Sequence, residues 1–152
     1  MARDPGPDDC PVCGYPGTTT LKNSFSVPEI RCKGCGDFSI TREALEDLIL
    51  LLPKLKHRAL ASHVVRRMQK PGKYPALDGD FFESLSSQSL PSPAELADNL
   101  LLWIAEQVDG KRGASVYYKF SSPPLIATIG AIDDSDIDWL TGTLVSSGWI
   151  HG

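Results

Sequence analysis

Apolar positions along the chain follow three regimes. Over residues 1–40 they are sparse, and in Asp37-Phe38-Ser39-Ile40 every second side chain is apolar. That period of two predicts a short strand. The preceding TTTLKNSFSVPEIR is long enough for a β-hairpin. Over 41–73 the period lengthens to that of a helix, interrupted at Pro53. Projected at about 100° per residue, residues 56–70 place Leu60, Ala61, Val64, Val65 and Met68 on one arc. Lys56, His63, Arg66, Arg67 and Lys70 fall on the opposite arc, which predicts an amphipathic helix with a cationic outer face. Pro71-Gly72 ends it. His57 projects into the apolar arc and reads as a satisfied core histidine.

The third regime begins at Ser92-Pro93-Ala94-Glu95, a capping box with proline at the first helical position. The helix it opens carries Leu96, Leu100, Trp103, Ile104 and Val108 on one face. After a loop at Gly110-Lys111-Arg112-Gly113, SVYYKF (115–120) has the β-branched and aromatic content of a strand. Ser122 caps a short helix opened by Pro123-Pro124 and running to about Ala131. Asp133 or Asp134 caps another, with Ile137, Leu140, Leu144 and Val145 inward and Gly148 as its stop. Trp149-Ile150 reads as the start of a further strand.

The fold class is therefore α+β, in three parts: a small module over 1–40, a helical connector over 41–91, and a small α/β domain over 92–152. Phe81 and Phe82 are expected to dock the connector's later stretch, 74–92. No internal repeat is visible.

The chemistry of the first part lies in its cysteines. Cys10-Pro11-Val12-Cys13-Gly14 and Cys32-Lys33-Gly34-Cys35-Gly36 are matched pairs, and they use all four cysteines of the chain. Two residues between cysteines let one tight turn aim both sulfurs at a point, and four such sulfurs make a tetrahedral zinc site. The glycine after each pair can take positive φ and turn backbone N–H groups toward the thiolates. Four protein ligands leave no open position for hydrolytic chemistry, so the expected Zn²⁺ is structural. A redox pair would need only one C-x-x-C in a thioredoxin-like setting. An iron site with the same ligands stays open as an alternative.

Charge changes the picture in one place. The net charge of −4 excludes a general polyanion binder. Residues 54–73, however, hold seven Lys/Arg and no acid, whereas residues 74–152 hold three Lys/Arg against eleven Asp/Glu. Lys56, His63, Arg66, Arg67 and Lys70 are thus the candidate nucleic-acid contacts, against the plainer reading of a solvated face. In the last helix Asp133, Asp134, Asp136 and Asp138 would repel phosphate, and no Lys or Arg offsets them. Its outer face presents Trp139, Gly142, Thr143 and Ser146. Trp139 and Thr143 are the candidate protein contacts, with packing of Trp139 on the cysteine module as the alternative. A protein partner or self-association is expected. Apolar content of 41% and charged content of 22% suit a folded globular chain. The longest apolar run is too short to span a bilayer and the first residues do not resemble a signal peptide, so a cytoplasmic location is expected.

The cysteine pattern resembles the zinc-ribbon family over about residues 8–40. The order helix, strand, helix, turn, helix, strand over 92–152 is similar to a winged helix, with DIDWLTGTLVSSGWI as its third helix running into the wing. The second wing strand would lie beyond Ile150, so a fragment or a shortened wing is expected. The phrases IRCKGCGDFSIT, LPSPAELADNLLLWI and the terminal GWI resemble N-terminal modules of bacterial defence and signalling proteins that carry a nucleotide-hydrolysing, TIR-like or deoxyribosyltransferase-like effector domain. The sequence contains no nucleophile–base motif, phosphate-binding glycine loop or evident small-molecule substrate site. The expectation is a non-enzymatic regulatory or protein-interaction module.

Overall fold

The structure, a computed structural model, describes residues 8–16, 19–21, 27–111 and 115–151, with only the backbone at 19–21. The tip of the expected hairpin, the first residues of the chain and part of the 110–113 loop lie outside the described residues.

The cysteine module is built on strands β1 (Thr19–Leu21), β2 (Glu29–Cys32) and β3 (Gly36–Ile40). β1 and β2 are antiparallel, as are β2 and β3, with Ile30 opposite Phe38. The alternation read from the sequence is the observed pleat, for Phe38 and Ile40 are fully buried. A fourth strand, β4 (Ala76–Leu77), pairs parallel to β3 with Leu77 opposite Ile40. It completes a mixed sheet in the order β1-β2-β3-β4. Two residues carry too little pattern to announce a strand, and a parallel partner nearly forty positions away in the chain cannot be read from local spacing.

Between β3 and β4 the chain is helical. Thr41 caps α1 (Arg42–Glu46) by accepting a hydrogen bond from the Ala44 amide. α2 (Leu48–Leu51) stops before Pro53, and α3 (Leu55–Arg67) follows it. The break at proline is as expected. The exposure of α3 is not. Ala59, Leu60, Ala61, Ser62 and His63 are buried in succession, so the helix is covered on more than one side. The reason is α6 (Pro123–Ile129), which packs against α3 in addition to β3. His63, expected on the cationic face, is 5% exposed and its Nδ1 is bonded to the Ala127 carbonyl at 2.8 Å. Met68, expected inside, is exposed. His57 is half-buried, and its buried Nδ1 has no hydrogen-bond partner among the described residues, contrary to the satisfied histidine expected there.

After β4, Asp78 caps α4 (Gly79–Ser84). Phe82 is buried and Phe81 half-buried, edge to face at 5.1 Å, so the connector is docked as expected. One apolar cluster runs from Cys10 through Phe38, Ile40 and Val65 to Leu85.

A second cluster joins α5 (Pro93–Val108), α6 and α7 (Asp134–Ser146) through Leu96, Leu100, Leu125, Ile129, Ile137, Leu140 and Leu144. The expected capping box is complete: Ser92 Oγ accepts from the Glu95 amide, and Glu95 accepts from the Ser92 amide at 2.6 Å. That bond holds the Glu95 carboxyl below its usual range.

The two strands expected in this region, and with them the winged-helix-like α/β domain, are not found among the described residues. Residues 115–120 run without a ladder partner, because the neighbouring elements are helices with no free edge. Their aromatic rings dock the segment instead. Tyr118 meets Trp103 edge to face at 5.8 Å and shares a 2.8 Å hydrogen bond with the Thr141 hydroxyl. Trp149 and Ile150 belong to the end of α7. Gly148 has φ of 76°, its amide donates to Val145 O, and the Trp149 amide donates to Leu144 O at 3.0 Å. This is a Schellman cap, and it consumes the amide that a strand would need. Val145, expected inward, is 39% exposed.

Candidate metal centre

The four cysteines arrive from two turns. The first follows Asp9, where the Cys10 amide donates to Tyr15 O and the Gly14 amide to Cys10 O, both at 2.8 Å. The second joins β2 to β3. Gly14 and Gly36 take φ of 78° and 90°, the conformation that the pattern required. At Gly36 space also forbids a side chain, since an added Cβ would lie 2.6 Å from Gln69.

All four sulfurs lie within 4.8 Å of one another. Cys10 and Cys35 are 3.9 Å apart, and Cys13 and Cys32 3.5 Å apart. An ion with zinc–sulfur bonds of about 2.3 Å would space its ligands about 3.8 Å apart at the corners of a tetrahedron. The donor set and its spacing therefore fit a tetrahedral metal centre. The sulfurs are unpaired as disulfides. Burial pushes the Cys10 thiol well up, and hydrogen bonding with Cys10 does the same to Cys35. Hydrogen bonds led by that from Cys10 hold the Cys32 thiol far down. Metal binding needs these sulfurs as thiolates, so a central cation would favour their ionised forms.

Cys10, Cys32 and Cys35 are buried and Cys13 is half-buried. The Cys35 amide donates to Cys32 Sγ at 3.4 Å, within the second turn. Cys35 Sγ lies 3.2 Å from Ser62 Oγ on α3. Arg66 reaches the Gly34 carbonyl at 3.5 Å, between the second pair of cysteines. Gln69 clamps the strand just beyond them: Nε2 donates to Asp37 O at 2.8 Å, and Oε1 accepts from the Asp37 amide at 3.2 Å. Ser62 and Gln69 were not legible as site residues. They sit some thirty positions from the cysteines, in a helix whose spacing speaks only of packing.

Of the residues expected to contact nucleic acid, Lys56, Arg67 and Lys70 are exposed, Arg66 is half-buried against Gly34, and His63 is buried. The five do not form one open face. Arg66 and Arg67 close the last turn of α3, where cations complement the helix dipole. Trp139 is 53% exposed on α7, with Thr143 exposed one turn later and its hydroxyl donating to Trp139 O. An added Cβ at Gly142 would meet open space. Among the described residues, no helix is long and apolar enough to cross a membrane. Compared with protein families, curated proteins and solved structures, the chain has no significant match in any of the three.

Proposed function

We propose that the chain is a non-enzymatic, zinc-stapled protein-interaction module whose docking surface is α7. The observation that carries this reading is the half-exposed Trp139 on a helix that begins with four aspartates and holds no base. A tryptophan ringed by Gly142, Thr143 and Ser146 can fill a partner pocket, and the surrounding acids select a basic one. The zinc, held by Cys10, Cys13, Cys32 and Cys35, is structural in this reading because all four positions of its tetrahedron are taken by protein. Ahead of a TIR-like or deoxyribosyltransferase-like effector, as in the bacterial defence and signalling proteins that the sequence resembles, such a module would recruit or hold the effector.

The basic partner patch can come from a second copy, through the exposed cations at the ends of α3. Light scattering on the zinc-loaded chain tests that source, and affinity capture on immobilised chain tests another protein. Trp139→Ala should cost about 2 kcal/mol or more of association and leave the melting temperature unchanged. A mutant that melts far earlier would make Trp139 a core residue, and one that associates as before would remove it from the interface.

A further inference from the structure

A cleft of about 330 Å³ opens between the first cysteine turn, α3 and the corner where α6 passes into α7. It exists because its floor is made of small side chains. Ala59, Ala127 and Ala131 are buried there, with Gly34 beside them, and none of the four side chains takes up much of the space. Leu55, Ile126 and Ile132 make the walls apolar.

Three charged groups line this space. Arg58 stands on the α3 wall, half-buried, and its side chain makes no hydrogen bond or ion pair among the described residues. Asp133 and Asp134 stand on the α7 wall. Asp133 is occupied as a helix cap, accepting from the Ser135 amide and hydroxyl, whereas the Asp134 side chain has no partner among the described residues. The two walls thus oppose charges that do not satisfy each other. A guanidinium in partly apolar surroundings is suited to a carboxylate, which it can grip with two parallel bonds. A carboxylate across an apolar floor suits an ammonium. The aspartates also disfavour phosphates and other dianions, which Arg58 alone would accept. The volume lies at the small end of the range for ligand pockets.

We propose that this cleft binds a small zwitterion, a free amino acid with an apolar side chain. Its carboxylate lies on Arg58, its ammonium on Asp134 and its side chain over the alanine floor. This site is separate from the Trp139 surface, and either assignment can fail without the other.

The test is calorimetric titration of the zinc-loaded full chain with leucine, methionine and phenylalanine. Saturable one-to-one binding of at least one is expected below about 10 mM. Arg58→Gln and Asp134→Asn should each weaken it about tenfold or more, and Ala131→Leu should abolish it by filling the floor. Phenylpropanoate and phenethylamine, each lacking one charge of phenylalanine, should bind more weakly than phenylalanine itself. Metal content and melting temperature check that each variant is folded. If Ala131→Leu fails to fold, the two polar substitutions, at less buried positions, still decide the matter. The proposal is overturned if none of the three amino acids binds, if Arg58→Gln binds equally well, or if phenylpropanoate matches phenylalanine.

Discussion

Ser62 illustrates how one hydroxyl can matter to a site it does not ligate. With Cys35 as a metal-bound thiolate, the Ser62 hydroxyl becomes the donor across the same 3.2 Å contact. Outer partners of this kind tune affinity by about ten- to a hundredfold. Ser62→Ala should therefore weaken metal binding about tenfold, as competition with a chromogenic chelator would read. His57 is the opposite case. Its buried Nδ1 finds no hydrogen-bond partner among the described residues, which costs about 1–3 kcal/mol. His57→Leu should raise the melting temperature, and an unchanged or lower one would mean that the ring nitrogen is satisfied in solution.

At the level of elements, caps and breaks were legible and partners were not. Pro53, the Ser92–Glu95 box and the α7 stop at Gly148 all act where the sequence places them, because each works through its immediate neighbours. The four cysteines were legible for a related reason: two-residue spacing fixes a turn locally, and the pairs then need only meet. Residues 115–120 misled because strand propensity describes a side-chain environment, and the three helices offered one without a sheet edge. His63 misled because a helical wheel assumes one buried face, while α3 has the sheet on one side and α6 on another. What remains of the cationic face can be tested. Lys56→Glu, Arg67→Glu and Lys70→Glu together should change neither fold nor metal content. A salt-sensitive loss of duplex binding in that variant, measured by fluorescence anisotropy, would support a nucleic-acid role for this helix.

For the whole molecule, loss of metal and uptake of protons act in the same direction. Chelation removes the staple beneath the cluster that includes Cys10, Cys32, Cys35 and Phe38, so the first core should melt before the α5–α6–α7 core. Circular dichroism with and without chelator would show it. Acid adds a second effect at His63, whose burial lowers its pKa from the ordinary 6.5. The unfolded chain then takes up that proton more readily than the folded one. This contribution to stability is complete above the ordinary pKa and is lost as pH falls below it. The destabilisation between about pH 7.5 and about pH 5 should shrink in His63→Gln, and an identical acid response would place the effect wholly at the thiolates.

The short strand β4 carries a consequence for how this protein can be divided. It covers the outer edge of β3, and it arrives only after the whole helical stretch has been made. A chain cut after Ile40 would keep every cysteine and could still take up metal. It would also present a bare strand edge, and would lose the Ser62, Arg66 and Gln69 props together with the apolar cover over Phe38 and Ile40. Bare edges of that kind recruit other chains. The smallest transplantable unit is therefore not the metal knuckle but reaches at least through Leu90, and shorter pieces should be recovered as aggregates.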